Sequence, residues 1–220
     1  MDVIEFIADP YHDFLGTTIQ YLKLCGISAV LAMLIGIGLA ILVSRNAIAA
    51  FTAVNLSGLM RAIPVIAFLI AAIPFLGVGE LPAIVALVVL GIPPILLNTY
   101  TGIRSVNPAT IDAAKGIGMT AWQIITRVQA PLVLPTIAAG VRTATVQIIA
   151  TATLAAFIGA GGYGNYIVDG VATFKNEEIL AGAIPVAMLA LIIEVFMSRL
   201  EYTLTPEGIR YVAPTETTRA

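Results

Sequence analysis

The sequence predicts an all-α, polytopic membrane protein built on five spanning helices. Three observations carry that prediction. Of the 220 residues, 59% are hydrophobic and only 11% charged, whereas soluble domains carry about 25% charged residues; the mean hydropathy is +0.99. Apolar runs of about 20 residues, enough for a helix to cross a hydrocarbon core of roughly 30 Å, recur with almost no charge inside them. None of these runs alternates as the strand of a membrane barrel would. The net charge of −2 leaves no basic surplus with which to neutralise phosphates, which argues against a nucleic-acid partner.

Taken in order, residues 1–17 form an acidic segment with Asp2, Glu5, Asp9 and Asp13 and no Lys or Arg. That is the opposite of the basic start of a secretory signal, so the segment is expected to be retained, outside the membrane. His12 is the sole histidine and has no partner of its own type for a metal site. The first span, 18–43, ends at Ser44-Arg45-Asn46 and carries a ladder of small residues, Ser28, Ala32, Gly36 and Ala40. Such a ladder lets another helix approach closely, and packing within one subunit is the favoured use over dimerisation. Cys25, the only cysteine, excludes a disulfide within one chain and reads as a small buried hydrophobe.

The second span, 57–76, contains Pro64 and Pro74. Each removes a backbone donor, so the helix is expected to be kinked or broken, which membranes tolerate where protein or a water-filled cavity surrounds the break. Pro64 is for that reason a candidate position on a translocation path. The third span, 81–103, includes Pro93-Pro94; the fourth runs over 131–158 and the fifth over 179–201. Gly159-Ala160-Gly161-Gly162-Tyr163-Gly164 formally matches a dinucleotide-binding pattern, but it follows a helix and no βαβ unit surrounds it. A Gly-rich turn closing a membrane helix is the expected structure. Residues 205–220 form a polar tail, expected to be flexible and cytoplasmic.

Charge sets the expected orientation. Arg45, Arg61, Arg104, Lys115, Arg127, Arg199, Arg210 and Arg219 sort to one side of five spans, with Lys23 and Lys175 near the other. Positive loops inside place the N-terminus outside and the C-terminus in the cytoplasm. No internal repeat of the kind common in secondary transporters is present.

The loop 107–130 is then cytoplasmic. Asn107-Pro108 reads as an N-cap followed by proline at the first helical position. Thr120-Ala121-Trp122-Gln123 reads as a capping box opening a second helix, after Gly116 and Gly118 let the chain turn. Ile111, Ala114, Gly118, Trp122 and Ile125 fall on one face, an apolar surface suited to a protein partner. Within this loop, Asp112-Ala113-Ala114, three residues, Gly118, nine residues, Val128, and Pro131 resemble the EAA signature of permease subunits in binding-protein-dependent ABC importers, with Asp in place of Glu, Val128 in place of Ile and Ala130 in place of Leu. The resemblance implies the five-helix core of the type I ABC importer permease fold with a cytoplasmic coupling helix, and assigns the ATPase contact to Asp112, Ala113, Ala114, Gly118, Met119 and Trp122. It further implies two ATP-binding subunits, a second permease subunit forming a homodimer, and an extracytoplasmic substrate-binding protein, in the inner membrane of a prokaryote. Stretches such as Asn98-Thr99-Tyr100-Thr101-Gly102 and Ala113-Ala114-Lys115-Gly116-Ile117-Gly118-Met119-Thr120 are similar to the osmoprotectant branch, permeases for glycine betaine, choline, carnitine and related quaternary ammonium compounds.

The chain has no GxxxxGK[ST] stretch, so P-loop binding of a nucleotide is not expected here. ATP and Mg belong to the partner ATPase, no cofactor is expected on this chain, and it is not expected to be an enzyme. The fourth span offers the path: Thr143, Gln147, Thr151, Ala155 and Gly159 recur every four residues, a stripe that could instead bond neighbouring helices. Arg142, costly at a helix centre, is expected to pair with Glu194 or to snorkel to the interface. The alternatives are a permease for another small solute such as an amino acid, or an ion-coupled transporter or channel. The spans hold essentially Glu194 alone for a proton relay, and no His/Cys/carboxylate cluster suggests an enzyme.

Overall fold

A computed structural model of the chain describes residues 14–205, and every regular element among them is helical. The acidic N-terminal stretch as far as residue 13, His12, and the tail from residue 206 lie outside the described residues. Four helical stretches are long and apolar enough to cross a membrane, and a fifth if one bent pair counts as a single span.

The first long helix, α1 (Phe14–Val43), pairs with α4 (Glu80–Ser105). At one end Lys23 Nζ lies 3.9 Å from Glu80 Oε2 and Gln20 Nε2 donates to Glu80 at 3.3 Å. At the other end Ser44 and Arg45 share a cavity with Tyr100 and Arg104. The two helices therefore run parallel, and the chain must return between Val43 and Glu80. The small-residue ladder of α1 makes this pairing possible. Ser28, Ala32, Gly36 and Ala40 are all buried, and a Cβ on Gly36 would stand 3.0 Å from Ile95 Cβ.

The return is made differently from the expected span 57–76. Asn46 caps a helix that begins at once, its Oδ1 accepting from the Ile48 and Ala49 amides at 2.9 and 3.3 Å. This helix, α2 (Ala47–Ala62), climbs antiparallel along α4: Ala50 and Val54 face Tyr100 and Arg104, while Met60 and Ile63 lie against Ala86, Val89 and Leu90. At Ile63-Pro64 the chain turns by 96° into α3 (Val65–Leu76). Proline's missing donor and its restriction of the preceding residue explain why the helix stops there; Ile63 is extended (φ −76°, ψ 122°). Pro74, by contrast, lies within α3 without ending it. Arg61, sorted by charge with Arg45 and Arg104, is instead set beside the middle of α4, because its neighbours Met60 and Ile63 pack there.

Beyond α4, α5 (Pro108–Gly116) and the single turn α6 (Ala121–Ile124) form the loop. A π-helical segment (Ile125–Gln129) leads without a break into α7 (Ala130–Thr151), and a 3₁₀ segment (Ala152–Ile158) completes a helical rod of 38 residues. The second helix of the loop and the fourth span are thus one object, not a short helix followed by a span beginning at 131. The wide π turn ends just before Pro131, which has no N–H to give to a tighter ladder.

α7 climbs antiparallel to α4 through close glycine contacts. A Cβ on Gly102 would meet Val133 at 2.9 Å, one on Gly140 would meet Asn98 Cβ at 2.7 Å, and one on Gly91 would meet Ile148 Cδ1 at 2.9 Å. Absent side chains let the backbones approach, the main source of helix association where lipid tails are as apolar as leucine.

The Gly159–Gly164 stretch is a turn, as its context demands. Gly159, Gly161 and Gly162 have φ of 73°, 77° and 80°, which only glycine adopts cheaply. A Cβ on Gly162 would meet Tyr21 at 2.8 Å, and Gly164 lies against the Thr153 carbonyl. The turn leads into a helix that the expected spans leave out, α8 (Gly164–Thr173), and then into α9 (Asn176–Leu204). Tyr21, fully buried, donates its hydroxyl to the Ile149 carbonyl and meets Tyr163 edge-on at 5.4 Å, tying this end together. Cys25 is buried beside it in sequence, at 4% exposure.

The result is a bundle with two distinct ends. Phe14, Glu80 and the turn 159–175 lie at one. Ser44, Ser105, the loop 107–124 and Thr205 lie at the other.

Candidate functional site

The loop 107–124 is a helix, a left-handed glycine and a second helix start. Asn107 Oδ1 accepts from the Ala109 amide at 2.9 Å, and Pro108 opens α5. At its end the Gly118 amide donates to Lys115 O at 2.9 Å and the Met119 amide to Ala114 O at 3.1 Å, the paired bonds of a Schellman cap with Gly118 at φ 82°. The turn rests on Gly118 alone, since Gly116 is the last residue of α5. Thr120 then forms the expected capping box: its Oγ1 accepts from the Gln123 amide at 3.3 Å, and Gln123 Oε1 accepts from the Thr120 amide at 2.8 Å.

This geometry redistributes the expected apolar face. Ala114 is buried at 6% and Ile111 half-buried, because α5 folds back against α6. The large apolar side chains left in the open are Trp122, 72% exposed, Ile117, 80% exposed, and to a lesser degree Ile125. Ile117 was absent from the face read in the sequence; the signal was a large aliphatic residue between two glycines, with no helix turn to carry it inward. Asp112 is exposed, points along α5, and holds Lys115 at 3.0 Å. Ala113 is exposed and Met119 half-buried.

The stripe on α7 divides. Thr143 is exposed and donates to the Ala139 carbonyl at 2.9 Å. Gln147 and Thr151 are half-buried, and their side chains make no hydrogen bond among the described residues. Ala155 is buried at 1%. A four-residue spacing keeps to one face only while the helix is α; the 3₁₀ segment from Ala152 has three residues per turn, which swings Ala155 inward. Pro64 is exposed at the α2–α3 break, and no hydrogen bond among the described residues joins its backbone to the Thr143, Gln147 or Thr151 side chains.

Arg142 does pair with Glu194, Nη1 to Oε1 at 3.1 Å. A second carboxylate, Glu201, sits 3.3 Å from Nε. Glu201 was legible in principle: it follows Glu194 by seven residues, two turns along the same face of α9. No group of three or more His, Cys, Asp or Glu side chains suited to a metal occurs among the described residues.

An all-helical bundle with a glycine-turned helical loop at one membrane end is the architecture of a type I ABC importer permease. Two solved permeases share it: the inward-facing MetNI methionine ABC transporter (TM-score 0.77, 22% identity, 87% of this chain and 96% of that one) and an amino acid ABC transporter with histidines (TM-score 0.70, 18% identity, 92% and 97%). The chain belongs to the family of binding-protein-dependent transport system inner membrane components, whose model matches residues 32–206. Among curated relatives, it is 40% identical to the carnitine transport permease protein OpuCB of Listeria monocytogenes over 94% of this chain and 95% of that one. It is 41% identical to the glycine betaine/carnitine/choline transport system permease protein OpuCB of Bacillus subtilis (94% and 96%) and 36% identical to the osmoprotectant import permease protein OsmW of Salmonella typhimurium (96% and 100%). It is a multi-pass membrane protein and a permease subunit of an ABC transporter.

Proposed function

We propose that this permease carries osmoprotectants of the quaternary ammonium class, glycine betaine, choline or carnitine, by ATP-driven alternating access. Two copies form the membrane path, two ATP-binding subunits dock on the loop 107–124, and a binding protein delivers substrate at the opposite end. The end carrying the loop faces the cytoplasm and the N-terminus lies outside, as the arginines at Arg45 and Arg104 favour. ATP and Mg are held by the ATPase, and this chain performs no chemistry. Asp112, Ala113, Ala114, Gly118, Met119 and Trp122 form or shape the docking surface, and Thr143, Gln147 and Thr151, with Pro64 at the break, line the path.

One observation carries the reading: Trp122 is exposed on α6, a capped helical turn that runs without interruption into the rod through Ile158, and Ile117 is exposed just before it at the Gly118 turn. A push on that turn is delivered to a helix that reaches the far end of the bundle, which is what a two-state transporter requires of its coupling element. Selectivity rests mainly on the binding protein, where aromatic side chains hold a quaternary ammonium by cation–π contact.

The test is uptake of labelled glycine betaine, choline and carnitine into proteoliposomes containing the whole complex. Ile117→Asp together with Trp122→Asp is expected to abolish ATP-driven uptake while the permease remains inserted. Undiminished uptake by that variant overturns the docking assignment, uptake without the ATPase favours an ion-coupled transporter, and uptake of an amino acid alone overturns the substrate.

A further inference from the structure

At the end of the bundle that carries the loop 107–124, two cavities adjoin and share Ser44 and Arg45. The larger, about 510 Å³, lies between α1, α2 and α4 and is lined by Arg45, Arg104, Tyr100 and the apolar residues Phe51 and Val54. The smaller, about 330 Å³, lies between the ends of α1 and α4 and the start of the rod; Thr99, Gln129 and Ile125 are in its wall.

These walls offer donors and almost nothing to neutralise them. Neither Arg45 nor Arg104 has a carboxylate within 4.0 Å among the described residues. The sequence explains why: there is no Asp or Glu from Leu24 to Gly79, and none from Leu81 to Ile111. The Tyr100 hydroxyl has no hydrogen-bond partner among the described residues, and Thr99 is 0% exposed with its Oγ1 unpartnered in the wall of the smaller cavity. A buried hydroxyl left without a partner costs about 1–3 kcal/mol, but Thr99 Oγ1 lies within a wall that is mostly apolar, so the polar groups open to an occupant are those of the larger cavity. Arginines at membrane ends usually snorkel singly into water. Here two converge on one concave space that is also lined by the apolar side chain of Phe51, 73% exposed.

We infer that this groove holds the phosphodiester headgroup of an anionic membrane lipid, clamped between Arg45 and Arg104, with the Tyr100 hydroxyl as a third donor. Guanidinium groups bind phosphate through paired, charge-assisted hydrogen bonds. The acyl chains leave over Phe51, and the rest of the headgroup lies beside Arg45 and Ser44, where the two cavities meet. Ile125 and Gln129 belong to the π segment, so an occupied site braces the junction between the docking turn and α7.

The experiment is native mass spectrometry of the full chain titrated with dioleoyl phosphatidylglycerol or dioleoyl phosphatidylcholine. Phosphatidylglycerol is expected to remain bound and phosphatidylcholine to be lost. Arg45→Gln and Arg104→Gln should each weaken phosphatidylglycerol about 5-fold, and Arg199→Gln, on α9 away from the groove, should leave it unchanged. Tyr100→Phe, which removes one hydroxyl, keeps the question open to test if an arginine variant fails to fold; it should weaken binding about 2-fold. Equal retention of the two lipids, equal loss with Arg199→Gln, no loss with Tyr100→Phe, or displacement of the lipid by millimolar inorganic phosphate would each overturn the inference, the last by making this a site for a soluble anion.

Discussion

Arg142 and Glu194 hold each other across α7 and α9 at 3.1 Å, with Glu201 on the far side of the same guanidinium at 3.3 Å. Arg142 thus answers two carboxylates, and its removal does more damage than removal of either. Arg142→Gln is expected to lower stability by about 1 kcal/mol, a modest figure because the pair is partly exposed, and Glu194→Gln by less, since Glu201 remains. Arg142→Glu is expected to cost more than Arg142→Gln, because it sets a third carboxylate beside Glu194 and Glu201. Thermal midpoints of the purified permease in detergent decide the matter.

Gly140 is expected to tolerate no side chain. A Cβ there meets Asn98 Cβ at 2.7 Å and the Pro94 carbonyl at 3.0 Å, and the backbone of a helix cannot move aside as a flexible side chain can. Gly140→Val should cost about 1–3 kcal/mol through overpacking. Gly26 has nothing within 4 Å of an added Cβ, so Gly26→Val serves as the matched control with a midpoint near that of the parent.

The docking turn should be separable from the bundle. Gly118 has open space around it, so Gly118→Ala is strained by its φ of 82° alone, at about 1–2 kcal/mol. Thr120→Ala removes one half of the capping box, at about 1 kcal/mol. Both should reduce substrate uptake by the assembled transporter while leaving the thermal midpoint of the bundle nearly unchanged, because the loop is held by its own caps. An equal fall in the midpoint would mean that the turn is part of the folding unit.

If Gln147 lines an aqueous path, a cysteine there will be modified by a membrane-impermeant thiol reagent, and substrate will slow the reaction. Leu34, 63% exposed on the outer face of α1, provides the contrast: Leu34→Cys should stay unlabelled in lipid. The parent chain supplies its own blank, since Cys25 is buried. Labelling of Gln147→Cys that matches Leu34→Cys would return the stripe to helix packing.

The long helices were legible because a hydrocarbon core imposes a minimum apolar length, and α1, α4 and α9 each exceed it. The caps at Asn107 and Thr120 were legible because they are local chemistry. What the sequence hid was decided by tertiary context. Residues 47–56 carry no charge and only Thr52 and Asn55 as polar side chains, but the helix they open stops after 16 residues at Ala62, too short to read as a span, and it is supported by α4. The continuity of α6 with α7 was obscured by Pro131, which ordinarily marks a start but here follows a π turn. Ala155 fell off the α7 stripe because nothing in its local sequence announces a change to three residues per turn. Charge sorting misplaced Arg61 for the same reason: it assumes that arginines sit at helix ends, and the Pro64 break creates an end partway along α4.

The bend of 96° at Pro64 also bears on how the protein enters its membrane. α2, with 16 residues, reaches about 24 Å, and α3, with 12, about 18 Å; neither matches a hydrocarbon thickness of about 30 Å. The second crossing therefore cannot be handed to the bilayer as a finished helix during synthesis. A nascent chain ending at Gly79 owns one secure crossing, and one ending at Ser105 acquires two more together, because α4 is the surface on which α2 settles.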